Sequence, residues 1–214
     1  MGGVKLKYIK NIPSTDYLIC ENLLSNGWKK LKEPKDVKAA ILYSFPIMII
    51  SFFIELILIF FLYQPFKDII KGNSELKFEL TLKLNIFVYL VAIIIFLFIH
   101  ELIHAIYVPN MLKSNKTYWG FNGMFAFVYT EEKIKKSRFI IISLMPYITL
   151  SFILPMILSI FGILNGFICL LCLLNAGGSC VDLLNIILIS FQVPNGAYVI
   201  SNGHNTYYKH IYKD

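Results

Sequence analysis

The chain has 214 residues, of which 57% are hydrophobic and only 15% charged, with 18 Phe and 13 Tyr. That balance excludes a soluble globular domain of this size, which needs far more polar surface, and predicts an integral membrane protein. The formal charge of +7 is read as attraction to anionic lipid headgroups, because no aromatic-basic motif directs it to nucleic acid.

In chain order, residues 1–38 come first. They are broken by Pro13, Asp16, Glu21, Lys29, Lys30 and Pro34, so they lack the apolar core of a cleavable secretion signal and are expected to stay attached as a cytoplasmic arm. Leu6 stands where a myristoylation site would need Ser or Thr. Apolar segments follow at 39–63, 84–108, 139–161 and 163–191, each reaching the roughly 20 residues that a helical span requires. Between the second and third, Tyr118-Trp119-Gly120-Phe121 and Met124 to Tyr129 flank Asn122-Gly123, the signal for a β-hairpin. Pro146 and Pro155 are expected to kink the third segment. Only a tight turn at 162–166 separates the third from the fourth, which predicts an antiparallel helical hairpin. Cys169 and Cys172 form a lone C-x-x-C pair within the fourth and read as small buried hydrophobes. Residues 192–214 are expected to be a cytoplasmic tail.

The expected architecture is therefore an all-α membrane protein: four transmembrane helices at 39–191, a short β-hairpin between helices two and three, and an arm at each end. Of the 20 Lys and Arg, eight precede the first span, four separate spans one and two, six separate spans two and three, and two follow the last. A multi-pass cell-membrane protein with both termini in the cytoplasm places sixteen of them inside and four outside, as the positive-inside rule favours.

His100, Glu101 and His104 form an H-E-x-x-H signature inside the second span. Two histidines four apart share a helix face and can grip one zinc ion, with Glu101 beside them to take a proton from metal-bound water. A catalytic site needs a third protein ligand. Ionisable groups in hydrocarbon are costly and face the bundle interior, which narrows the choice to Glu55 in span one and Asp182 in span four. By helical rise, His100 and Asp182 each lie roughly 6 Å to the cytoplasmic side of their span midpoints, whereas Glu55 lies roughly 12 Å from that level. Asp182 is the expected ligand. Asn175-Ala176-Gly177-Gly178-Ser179-Cys180, just before it, is small and polar, as expected where span four presses against span two. Glu131 and Glu132 precede Lys133, Lys135 and Lys136 and read as a solvated turn; His204 and His210 read as exposed tail residues.

Three blocks of residues resemble a small family of bacterial membrane zincin peptidases, formerly recorded only as a domain of unknown function and similar in turn to site-2 intramembrane metalloproteases. They are Phe98-Ile99-His100-Glu101-Leu102-Ile103-His104-Ala105; Lys136-Ser137-Arg138 running to Leu144-Met145-Pro146; and Gly177-Gly178-Ser179-Cys180-Val181-Asp182 with Val193-Pro194-Asn195-Gly196-Ala197. The resemblance implies His100, His104 and Asp182 as zinc ligands and Glu101 as general base. The chain departs from the site-2 pattern in placing Cys180-Val181 before Asp182 and in lacking the Asp-Gly signature.

The chemistry expected of these residues is hydrolysis of a peptide bond in a membrane-embedded or membrane-adjacent substrate. Asn175, on the face of Asp182, is a candidate contact to the oxyanion or the substrate backbone. The hairpin edge is a candidate partner for extended substrate. The competing reading is a non-enzymatic membrane partner or transporter component whose His pair is structural or coincidental.

Overall fold

A computed structural model describes residues 7–72, 85–123 and 126–210. In chain order the elements are β1 (Lys7–Ile9), α1 (Tyr17–Ser25), β2 (Lys29–Lys30), α2 (Val37–Leu62), α3 (Gln64–Ile70), α4 (Asn85–Tyr107), β3 (Thr117–Phe121), β4 (Ala126–Thr130), β5 (Ile134–Lys135), α5 (Lys136–Tyr147), a π-helical stretch (Ile148–Ile153), α6 (Leu154–Ile160), α7 (Gly166–Gly178), α8 (Cys180–Gln192), β6 (Tyr198–Asn202) and β7 (Asn205–Lys209). Four passages are long and apolar enough to cross a membrane: Val37–Leu62, Ile86–Tyr107, Lys136–Ile160 and Gly166–Gln192.

The first passage shows how the bundle is sorted. Its buried residues are Ser44, Ser51, Glu55 and Ile59, while Leu42, Phe45, Ile50 and Phe53 are exposed. Three of the four buried residues are thus polar while the exposed ones are large and apolar, the reverse of a soluble helix and the arrangement hydrocarbon demands. The inward stripe meets the small-residue face of the fourth passage. Ser44 Oγ donates to Cys180 Sγ (3.2 Å), Ser51 Oγ donates to the Ala176 carbonyl (2.8 Å), and Met48 packs where Gly177 lacks a side chain. The close approach expected of the Asn175 to Cys180 run is thus made largely with span one, with α4 touching α7 above it.

The third passage ties the others together. α5 packs against both α4 and α8, and two basic residues in its first turn reach the C-terminal ends of those helices. Lys136 Nζ donates to the carbonyls of Ser190 (3.0 Å) and Val193 (2.6 Å), and Arg138 Nε donates to the Tyr107 carbonyl (2.7 Å). The last carbonyls of a helix lack intrahelical partners and carry partial negative charge, so each cation supplies a donor and a favourable dipole interaction. Pro146 and Pro155 flank the π-helical stretch, where the bonding step lengthens from four residues to five.

The ends of the helices that carry β-structure all lie together, because 7–30, 117–135 and 198–209 leave or enter the bundle at the same end. Two sheets form there, and they correct the all-α expectation. In the first, ordered β1-β3-β4, β1 runs parallel to β3 and the β3–β4 ladder runs from Thr117↔Thr130 to Phe121↔Ala126. The expected hairpin is therefore present over these pairs, while Met124 and Phe125 of its expected second strand lie outside the described residues. In the second sheet, ordered β2-β7-β6-β5, the N-terminal arm pairs with the tail. β6 and β7 form a tight hairpin closed at Asn202↔Asn205, whose turn includes Gly203 at φ +60°. Each 1% exposed, Val199 packs against Ile189 and Val193 on the face toward α8 and Tyr207 packs against Leu23 and Trp28 on the opposite face. Asn202 and Asp16 bond reciprocally, as do Gln192 and Lys32, so arm, tail and α8 are stitched to one another.

Gly120 is the tightest point of the first sheet. A side chain there would collide with the Ile9 carbonyl and the Phe127 ring. Gly120→Val is expected to destabilise the protein by about 1–3 kcal/mol, as overpacking does, and to lower the thermal unfolding midpoint of purified protein.

Candidate metal centre

α4 carries His100 and His104 one turn apart, both 9% exposed, on the side facing α5 and α7. Asp182 enters from the first turn of α8. His100 Nε2 and His104 Nε2 are 3.2 Å apart, and Asp182 Oδ2 lies 3.4 Å from the first and 3.3 Å from the second. These three side chains form the group able to hold a metal ion among the described residues.

Their hydrogen bonds define which atoms face inward. His104 donates its Nδ1–H to the Ile142 carbonyl (2.8 Å). His100 meets Asn175 Oδ1 through Nδ1 (2.8 Å). The orientation of that amide is fixed by its other end, because Asn175 Nδ2 faces the Pro146 carbonyl (3.3 Å), which can only accept, and Ser151 Oγ (2.8 Å). Asn175 therefore offers His100 an acceptor, and His100 Nδ1 carries a hydrogen. With both Nδ1 atoms protonated, the neutral rings aim two Nε2 lone pairs and a carboxylate oxygen at one point. Three acceptors converging without a donor between them is the chemistry of a cation site. A tetrahedral zinc site with bonds of roughly 2.0–2.1 Å has ligand-to-ligand edges of roughly 3.3–3.4 Å, and the observed triangle has that size. The donor set fits the ion.

Glu101 is partly buried on the neighbouring face of α4, where its carboxyl accepts a hydrogen bond from the Val128 backbone N–H. β4 is the outer strand of its sheet, with β3 on one side and, at Val128, α4 on the other. A cavity of about 650 Å³ runs along it, lined by His100, Glu101, His104 and Asp182 at one end and by Glu33 and Thr206 at the other. Beside it Tyr129 accepts from the Gly203 N–H (2.8 Å) and donates to Glu131 Oε1 (3.5 Å); burial pushes its phenol up to about 12, so it stays a neutral hydroxyl at physiological pH.

The remaining candidates fall elsewhere. Asn175 lies behind His100, with both amide hydrogens taken by Pro146 and Ser151, so it has none to give an oxyanion. Glu55 is fully buried two turns along α2 from Met48, near Tyr147, Cys169 and Cys172, and neither of its oxygens has a hydrogen-bond partner among the described residues. Glu132 accepts from Ser114 Oγ (2.6 Å) in the loop after β4. His204 lines the far part of the cavity from the β6–β7 turn and is exposed, apart from the cluster. The roles of Ile142, Pro146 and Ser151 were not read from the sequence. The only local signal was a proline in an apolar span, and its significance depends on which helix packs beside it.

Fold and site together define a four-span helical protein whose second and fourth spans meet in a histidine–histidine–aspartate cluster. Residues 93–198, about half of the chain, belong to the family described as "Putative zincin peptidase". That stretch runs from within α4 to the start of β6 and contains the whole cluster and Glu101, but not α2. No curated protein and no solved structure matches the chain.

Purified protein is expected to hold about one zinc per chain by elemental analysis, the stoichiometry of a single three-ligand site. The His100→Ala, His104→Ala double variant is expected to hold almost none.

Proposed function

We propose that the protein is a zinc-dependent membrane metallopeptidase, with His100, His104 and Asp182 holding the metal and Glu101 acting as general base. The observation that carries this reading is the convergence of two Nε2 atoms and one carboxylate oxygen beside a second carboxyl, at the end of a cavity bordered by a strand edge. A zinc ion bound there supplies an acidified water and polarises a carbonyl.

The chain's own residues do the rest. Glu101 takes the proton from the attacking water and passes it to the leaving amine, a role that its position beside the ligands permits. The Val128 N–H holds that carboxyl at the strand, so the base and the substrate-facing edge are fixed to one another. Asp182 balances charge and completes the tripod. Asn175 and the Ile142 carbonyl keep the two imidazoles in the tautomer whose Nε2 can ligate. Helical peptide bonds are closed to attack, so substrate must arrive extended, and the outer edge of β4 on either side of Val128, whose own N–H is taken by Glu101, is the place for an added strand.

The cavity leads from the cluster toward Glu33 and Thr206, at the sheet-bearing end of the bundle. That direction supports a membrane-adjacent segment entering from the aqueous side as the substrate. By the charge distribution of the loops this side is the cytoplasm, and the protein is a multi-pass component of the cell membrane.

Glu101→Gln is expected to keep its zinc while kcat on a cleavable membrane-adjacent peptide falls by about 10²–10⁴-fold, the usual contribution of a general base. Stripping the wild type with a chelator should abolish cleavage and added zinc restore it. Unchanged cleavage in the Gln variant removes Glu101 from the mechanism, and cleavage that survives metal removal rejects the metallopeptidase reading.

A further inference from the structure

Ile142, whose carbonyl orients His104, lies four residues before Pro146. In a regular helix that carbonyl would receive the N–H of residue 146. Proline has none, and its ring pushes the carbonyl of the preceding turn off the helical path. A backbone acceptor left without its helical donor inside hydrocarbon is costly unless something else donates to it. Here the donor is the Nδ1–H of His104, reaching across from α4.

The same residue serves the other imidazole. The Pro146 carbonyl accepts from Asn175 Nδ2, which turns the amide so that Asn175 Oδ1 faces His100. Pro146 and Ser151 are both fully buried, and the π-helical stretch that begins two residues after Pro146 brings Ser151 to the same amide group. Both chains of hydrogen bonds that set the ring tautomers thus end at one bend in the third span.

We infer that Pro146 is a positioning residue for the metal centre: by withholding a backbone N–H it frees the Ile142 carbonyl to hold His104, while its own carbonyl sets Asn175 against His100. This rests on the reading of the cluster as a metal site. The helix is interrupted here for the ligands, not for packing. An alanine at 146 would restore the N–H, straighten the turn and return the Ile142 carbonyl to its own helix. The regained hydrogen bond and helix propensity would offset the buried ring carbons lost, and the imidazole would lose its orienting acceptor.

The test uses the full-length protein purified in detergent, with zinc affinity measured by competition against a chromogenic chelator and thermal unfolding measured on metal-stripped samples. Pro146→Ala is expected to weaken zinc binding by about 10–100-fold, the usual effect of losing an outer partner of a ligand, while the metal-free protein unfolds at the same or a higher temperature. Pro46→Ala, at an exposed proline of α2, is expected to leave affinity unchanged. Asn175→Leu is expected to weaken binding and Asn175→Asp, which keeps an oxygen for His100 Nδ1, to retain it. Wild-type affinity in Pro146→Ala overturns the inference, and so does a loss matched by a lower unfolding temperature, which would mark a packing role. Equal affinity in Asn175→Leu and Asn175→Asp overturns the His100 half. If the His100→Ala, His104→Ala double variant binds zinc like wild type, the metal reading itself fails, an outcome separate from any result at Pro146.

Discussion

A polar group inside hydrocarbon must find its partner within the protein, and that requirement shapes most of the bundle, the Glu55 carboxyl being the group that finds none among the described residues. Water cannot satisfy a stray carbonyl or hydroxyl there. Ser44, Ser51, Ser151, Ser179 and Asn175 all turn inward and bond a neighbouring helix or their own preceding turn. At the helix ends the same need is met by the Lys136 and Arg138 side chains. The two imidazoles obey it too, since each outward ring nitrogen is held by an acceptor and only the inner ones are left free to meet Asp182.

The site is therefore assembled by backbone as much as by side chains. α4 supplies a pair of rings with the right spacing but cannot fix how they rotate. That is done by a carbonyl of α5 and an amide of α7, and α5 is itself tied to the end of α4 by Arg138 and to the end of α8 by Lys136. The cluster is a property of four packed helices, α4, α5, α7 and α8, and the signature on α4 is only its visible part.

What could be read in the sequence follows from how local each feature is. Spans are visible because twenty apolar residues suffice to define one, and the fixed rise of a helix was enough to set Asp182 at the depth of His100. The hairpin of the tail is hidden for the opposite reason. Asn202-Gly203 lies between the strand-forming runs Tyr198-Val199-Ile200 and Thr206-Tyr207-Tyr208, a hairpin signal as good as Asn122-Gly123, yet the polar residues around His204 made it look like a loop. The pairing of β2 with β7 spans most of the chain and left no local trace. Asn175 was placed on the right face and given the wrong partner, because spacing says which side a group is on but not which of its atoms is already taken. Pro146 was visible as a kink and silent about its use.

The second sheet also sets an order of events. β2 belongs to the beginning of the chain and β7 lies beyond the last span, so the strand that closes over the arm is made only after all four passages have left the ribosome. Thr206, on that late strand, and Glu33, beside the early one, bond to each other and wall the far end of the cavity. Until synthesis reaches Thr206, Glu33 lacks that partner and the cavity lacks that part of its wall. The far wall of the compartment in which the chemistry would take place is thus in place only once the chain has been made through β7.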